Sequence, residues 1–100
     1  MILGRVVGTV VSTQKDSNLV GLKLQLVQPV SVQDLQPEGK SLVAVDSVGA
    51  GLGDVVMLVT GSSARLTDLT RTAPTDATIV AIVDTVEVEG TVVLGGGGRD

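Results

Sequence analysis

The chain of 100 residues contains no cysteine, no histidine, no phenylalanine, tyrosine or tryptophan, and only three prolines. Without cysteine there is no disulfide, no thiolate nucleophile, no thiolate zinc site and no iron–sulfur cluster. A count of zero also leaves the redox compartment unmarked. Without histidine there is no imidazole base and no Ser-His-Asp triad. Without aromatic rings there is no stacking platform for single-stranded nucleic acid, and the core must be aliphatic. Positive charge is scarce as well, with 7 Lys and Arg against 11 Asp and Glu for a net charge of −4. Arg5, Lys15, Lys23, Lys40, Arg65, Arg71 and Arg99 are scattered through the chain, whereas a nucleic-acid surface gathers such residues to neutralise phosphates. No apolar run approaches the roughly 20 residues of a membrane span. Met1-Ile2-Leu3-Gly4-Arg5 leads straight into strand-like sequence without the basic head and apolar stretch of a signal peptide. The expectation is a soluble cytoplasmic protein that binds neither nucleic acid nor membrane.

What is present is aliphatic: 43% of the residues are hydrophobic, and valine alone fills twenty positions. The length suits one domain with a radius of gyration of roughly 13 Å. Each buried aliphatic side chain contributes about 1.5–3 kcal/mol, so many small contacts must hold the interior. A small chain with more apolar surface than one core can bury is a candidate for packing against copies of itself.

Hydrophobic periodicity is of the strand kind. From Val20 to Leu26 the sequence alternates strictly, with Val20, Leu22, Leu24 and Leu26 on one face and Gly21, Lys23 and Gln25 on the other, the pattern of a strand with one buried face that ends near Pro29. Ile2 to Thr13 carries Val6, Val7, Val10 and Val11 on both faces, so one face serves the core and the other is open to a neighbouring subunit. Gly4 and Gly8 leave gaps there that another backbone could approach. Gln14 to Asn18 supplies a polar turn, and Gln33 to Ser41 a polar connection with Pro37 and Gly39 as turn formers. Leu42 to Val48 and Asp54 to Thr60 read as strands around a Gly49-to-Gly53 turn. Gly61-Ser62-Ser63-Ala64-Arg65-Leu66 can open a one- or two-turn helix with serine as its cap. After Pro74-Thr75-Asp76, the β-branched stretch from Thr78 to Val88 disfavours helix, and Thr91 to Leu94 forms a last strand beyond the turn at Gly90. The prediction is a mainly β protein, a small five- to six-stranded antiparallel barrel of the OB type with one short helix. Residues 1–94 form the single domain and 95–100 a flexible glycine-rich tail.

Motifs that suggest chemistry fail on spacing. Gly39-Lys40-Ser41 resembles the end of a phosphate-binding loop, but Asp34 occupies the position of the required upstream glycine and a strand follows in place of a helix. Gly49-Ala50-Gly51-Leu52-Gly53 has its third glycine one residue early for a dinucleotide fingerprint. Its plain reading is a turn using positive φ; its functional reading is close backbone approach around an axis or ligand. Asp46 and Asp84 are the carboxylates that could serve a hydrolase, yet no supporting group accompanies them, and a strand aspartate more often accepts from nearby backbone N–H groups. Arg65, next to the candidate helix start at Ser62 and Ser63, could hold an anion or form a salt bridge to a neighbouring subunit. No catalytic, metal-binding or cofactor-binding set emerges.

One ordered set of segments is more specific than any single motif. Gly8-Thr9-Val10-Val11-Ser12-Thr13-Gln14-Lys15, Asp46-Ser47-Val48-Gly49-Ala50-Gly51, Gly61-Ser62-Ser63-Ala64-Arg65 and Pro74-Thr75-Asp76-Ala77 leading into Ile79-Val80-Ala81-Ile82-Val83-Asp84-Thr85-Val86 resemble, in that order, the EutN/CcmL-type vertex proteins of bacterial microcompartment shells, over roughly residues 1–88. The resemblance implies an OB-like barrel in a ring of five identical chains that caps the vertices of a polyhedral shell and closes it, without enzymatic activity or cofactor. It further implies hexameric and pseudo-hexameric trimeric shell proteins as partners and a place in the shell of a cytoplasmic compartment. Carried over to this chain, Gly49, Ala50, Gly51, Ser62, Ser63, Ala64 and Arg65 are the candidates for the axial opening and the subunit contacts. The alternative is a small oligomeric OB-type binding module with an anion or ligand site near Ser62 and Arg65.

Overall fold

The computed structural model describes residues 1–11, 17, 21–61, 64 and 76–94. Seven strands run along it: β1 (Ile2–Val10), β2 (Lys23–Pro29), β3 (Leu42–Asp46), β4 (Val55–Thr60), β5 (Ala77–Ile82), β6 (Val86–Val88) and β7 (Thr91–Leu94). The first five close into a barrel of order β1-β2-β3-β5-β4, and β6 and β7 form a separate two-stranded sheet. Closure removes the exposed edges that a short open sheet would present. Four of the barrel's pairings are antiparallel, while β3 and β5 run parallel through Val45↔Thr78 and Asp46↔Ile79. The predicted stretch from Thr78 to Val88 is thus two strands, one inside the barrel and one outside it. The expected helix at 61–66, the turn at 14–18 and the tail at 95–100 lie almost wholly outside the described residues.

The core is aliphatic, as the composition requires. Val6, Val27, Ala44, Ala50, Val56, Leu58, Ala77 and Ile79 form one buried cluster, with Leu42 and Ile82 packed against it. Gly4 sits among them because a Cβ there would overlap Val27 Cγ1 and stand 3.2 Å from the Gln28 carbonyl oxygen and 3.3 Å from Leu58 Cδ1. The gap at Gly4 is therefore filled by side chains of the same barrel, and Gly8 faces Leu26 in ordinary contact at 3.7 Å. A bulge between Val6 and Gly8 releases Val7 from the ladder and leaves it 44% exposed.

The face of β2 that enters the barrel is the opposite of the one its leucines suggest. Gln25 and Val27 are buried at 1% and 0% exposure, while Leu24 and Leu26 are half-buried on the outer face. Cross-strand register agrees: Gln25↔Ala44 and Val27↔Leu42 pair on the inner face, while Gly8↔Leu26↔Val43 and Val10↔Leu24↔Val45 lie on the other, where Val45 is itself covered at 1% exposure although it stands outside the core cluster. A period-two pattern fixes the alternation but is symmetric to exchange of the faces. The inner position goes to Gln25 because its amide finds partners there.

The β6–β7 hairpin turns through Glu89 (φ 50°) and Gly90 (φ 82°), with Val88 opposite Thr91. Positive φ at both loop residues is the two-residue turn that matches the twist of paired strands. Among the described residues its strands pack on one another and have no substantial packing against a barrel strand.

Candidate functional site

The chain between β3 and β4 crosses one end of the barrel, and a buried polar cluster holds it there. Asp46, 6% exposed, closes β3. Its Oδ1 accepts from the backbone N–H groups of Val48 and Gly49, both at 2.9 Å. Its Oδ2 accepts from Gln25 Nε2 at 3.3 Å. A carboxylate that bonds backbone two and three residues onward stabilises a turn, which accounts for the Asp-Ser-Val-Gly sequence. Gln25 Nε2 also donates to the Ala50 carbonyl at 2.8 Å, and Lys23 Nζ donates to the same oxygen at 3.2 Å. Thr9 Oγ1 donates to Gln25 Oε1 at 3.2 Å.

The second half of the turn is tied to β1, and its first residue to β5. Gly51 N–H donates to Asp54 Oδ2 at 2.8 Å, Gly53 N–H to the Val6 carbonyl at 2.9 Å, and Val6 N–H to the Asp54 carbonyl at 2.9 Å. The Arg5 guanidinium donates to the Gly53 carbonyl at 2.9 Å, and Ser47 Oγ to the Ile79 carbonyl at 2.6 Å. Among the described residues no buried side-chain nitrogen or oxygen lacks a hydrogen-bond partner. With the buried polar groups so engaged, the cluster is a rigid clasp, and what it offers to solvent is shape: Leu52 stands 79% exposed at the tip of the turn and Val48 40% exposed on its flank.

The sequence candidates fall into two groups. Gly49, Ala50 and Gly51 occupy this clasped turn. Gly49 has φ +80° with no described atom within 4 Å of a Cβ, so its glycine answers to backbone conformation. Gly51 has no positive φ, and a Cβ there would stand 3.8 Å from Asp54 Oδ2. Ala50 is fully buried in the core cluster. Of the second group, Ala64 is buried and its carbonyl accepts from Thr78 Oγ1. Ser62, Ser63 and Arg65 lie outside the described residues. The two segments share an anchor, since Ala64 is held by Thr78 and Ser47 by the next residue of β5, Ile79.

The carboxylates considered for catalysis are not a pair of equals: Asp46 is committed to the turn, and Asp84 is exposed between β5 and β6. Gly39 has φ +82° in the turn before β3, and Ser41 Oγ donates to Gln28 Oε1 at 3.0 Å, so the lysine between them belongs to a turn and a strand start. No group of three metal-ligand side chains occurs among the described residues. Sequence reading missed Gln25, Lys23, Thr9 and Asp54. The signal available for them was an Asp closing an apolar strand before a glycine turn, which requires donors nearby, and a single amide inside a run of leucines.

Comparisons with known proteins agree with this architecture. The family model described as "Ethanolamine utilisation protein EutN/carboxysome" matches residues 1–84. The chain is 48% identical over 87 residues to the bacterial microcompartment shell vertex protein GrpN of Rhodospirillum rubrum, covering 87% of this chain and 97% of GrpN. It superposes on the structure of CcmL from Nostoc sp. PCC 7120 with a TM-score of 0.88 at 44% identity, covering 94% of this chain and 98% of that one. The structure of the GrpN pentameric microcompartment shell protein matches with a TM-score of 0.76 at 48% identity, over 88% of this chain and 98% of that one. With a family match over residues 1–84, 48% identity to a vertex protein along nearly its whole length and the same fold as a solved relative, the chain belongs to the EutN/CcmL family.

Proposed function

We propose that this protein is a structural shell protein whose homopentamers cap the vertices of a polyhedral bacterial microcompartment. The observation that carries the reading is the 48% identity to a pentameric shell protein of the same fold across nearly the whole of that chain. The physical chemistry of this chain agrees. Among the described residues its buried polar groups are all hydrogen-bonded within the chain, most of them in holding a turn, and its outer barrel face carries half-buried and exposed aliphatic residues suited to contact between copies. A ring of this kind uses two different patches on each subunit and closes because its rotation angle divides the circle.

In mechanism, a layer of hexagonal tiles is flat, and five-fold units at the corners let it close into a polyhedron. The partners of the ring in that layer are hexameric and pseudo-hexameric trimeric shell proteins, met along its lateral edge, and the assembly sits in the cytoplasm as part of the shell. Gly49, Ala50, Gly51, Ser62, Ser63, Ala64 and Arg65 serve the axial opening and subunit contacts. The clasp formed by Asp46 and Gln25 gives the turn carrying Gly49 to Gly51 a fixed shape in every copy.

Native mass spectrometry tests the reading: a five-copy species is expected under mild conditions, and a chain that remains monomeric or dimeric overturns it. Expression in a host lacking its own vertex protein extends the test to the shell. Restoration of closed polyhedra is expected, and shells that stay elongated or open count against the vertex role.

A further inference from the structure

The barrel has two ends, and the chain closes them differently. The clasped turn between β3 and β4 crosses one, and the connection between β2 and β3, residues 30–41, leaves the other. Register makes that connection the outermost part of its end. Asp46, the last residue of β3, lies beside Ile79, the third residue of β5, while Thr60, the last of β4, lies beside Ala77, the first of β5. Carried back along β3, the parallel register runs Val43 and Leu42 past the start of β5, and residues 30–41 project further still. On the other side the Val30 N–H donates to the Leu3 carbonyl at 3.0 Å, so the projection begins level with the first residues of β1.

The projecting connection is built to one shape. A bridge between Val30 and Pro37 closes its base. Ser31 N–H donates to the Gln36 carbonyl, Leu35 N–H to the Ser31 carbonyl and Glu38 N–H to the Pro29 carbonyl, each at 2.9 Å. Ser31 Oγ accepts from Gln33 N–H at 3.2 Å, and Asp34 Oδ1 from Gln36 N–H at 3.1 Å. Gln28 Nε2 braces the returning chain at the Gly39 carbonyl, 3.1 Å away. Leu35 is held at φ 60°, a conformation that a bulky L residue adopts only where its surroundings impose it. Beside it in the same turn Val32 stands 55% exposed, with exposed Gln33, Asp34, Gln36 and Glu38 around it in sequence. An apolar side chain on a preformed loop, among polar and acidic neighbours, has the anatomy of an interface anchor inside a polar rim.

We infer that residues 31–38 are a docking tooth for a hexameric shell tile, received on the tile's edge by an apolar notch with a lysine or arginine beside it. Val32 fills the notch, and Asp34 and Glu38 meet the cation. The occupant is a tile because of where the loop stands and how little apolar area it offers. The vertex reading gives the clasped end of the barrel to the axis and the subunit contacts, so the opposite end points to the rim of the ring, where the adjoining molecule is a tile. Contacts that hold a permanent ring together are large and apolar, whereas a valine within a polar surround suits contact between parts that are already folded and assembled. The inference rests on that vertex reading and names the surface through which the ring would meet the layer.

The chain has no native cysteine, so a single introduced thiol can report on each end of the barrel. Full-length Val32→Cys and Leu52→Cys, the second at the tip of the clasped turn, are labelled with a benzophenone maleimide, added to shells of a hexameric shell protein made without a vertex protein, and illuminated. A covalent adduct between this chain and the tile subunit is expected from position 32 and not from position 52. Cross-linking of position 32 to another copy of this chain, or equal tile adducts from both positions, overturns the inference. As a second readout, Val32→Asp should lower the number of shell-bound copies at least tenfold while native mass spectrometry shows the pentamer unchanged, and Val32→Ile should restore binding. Undiminished shell binding by Val32→Asp overturns the tooth, and so does loss of its pentamer, since the loop would then hold the ring itself. An unsubstituted chain that forms no pentamer, or whose pentamers do not enter these shells, overturns the vertex reading and the inference with it.

Discussion

The five barrel strands and the two hairpin strands draw on the same β-branched vocabulary, yet they end in opposite conditions. Each barrel strand has a neighbour on both sides and the barrel encloses a core cluster, while among the described residues each hairpin strand has one neighbour. The difference teaches that strand propensity decides only that a segment will extend. Whether it is stable depends on how many partners the topology gives it. In the barrel those partners close a ring of five strands, whereas among the described residues β6 and β7 pair only with each other.

Truncating the barrel core should show the largest effect. Leu58→Ala removes a fully buried side chain and is expected to cost about 2–5 kcal/mol. At about 4–8 °C per kcal/mol in a domain of this size, the thermal midpoint at fixed protein concentration should fall by roughly 10 °C or more. A fall of only a few degrees would mean that contacts outside the single chain carry most of the barrel's stability.

Asp46→Ala comes next. It strips the partner from two backbone N–H groups and from one Gln25 bond, and about 1–3 kcal/mol should be lost. Faster amide exchange at Val48 and Gly49 by NMR would accompany it, and unchanged exchange would show that the turn holds without its clasp. The two turn glycines separate on a finer scale. Gly49→Ala places a Cβ at φ +80° and should cost about 1–2 kcal/mol, whereas Gly51→Ala should stay within about 0.5 kcal/mol. Equal effects in chemical denaturation would refute the assignment of Gly49 to backbone conformation. Smallest in folding terms is Val92→Ala on the hairpin, expected within about 0.5 kcal/mol in the unfolding of dissociated chains. A loss comparable to that of Leu58→Ala would erase the contrast between the two regions.

Much of the fold was legible before any coordinates. The alternation around Leu24, the β-branched stretch before Asp84 and the glycine turn after Asp46 all mark real strands or turns, and the ordered segments point to the family. The leucines of β2 were the instructive error. Their period is right and their face is outward, because a buried glutamine with Asp46, Thr9 and the Ala50 carbonyl around it can occupy the inside at little cost. None of those partners is a sequence neighbour of Gln25. The candidate site was legible only in its Gly49-to-Gly51 half as a turn; the groups that fix it come from three other strands.

By itself the sequence determined an aliphatic interior, a strand-rich chain and the exclusion of imidazole and thiolate chemistry, since those depend on which side chains exist and on local period. The tertiary structure alone decided which face of β2 points inward, that β3 and β5 run parallel, and that the last two strands form a sheet of their own. Those outcomes depend on contacts between residues far apart in the chain. Exchange of two strand faces leaves the local pattern unchanged, so only closure of the barrel and satisfaction of its buried polar groups can choose between them.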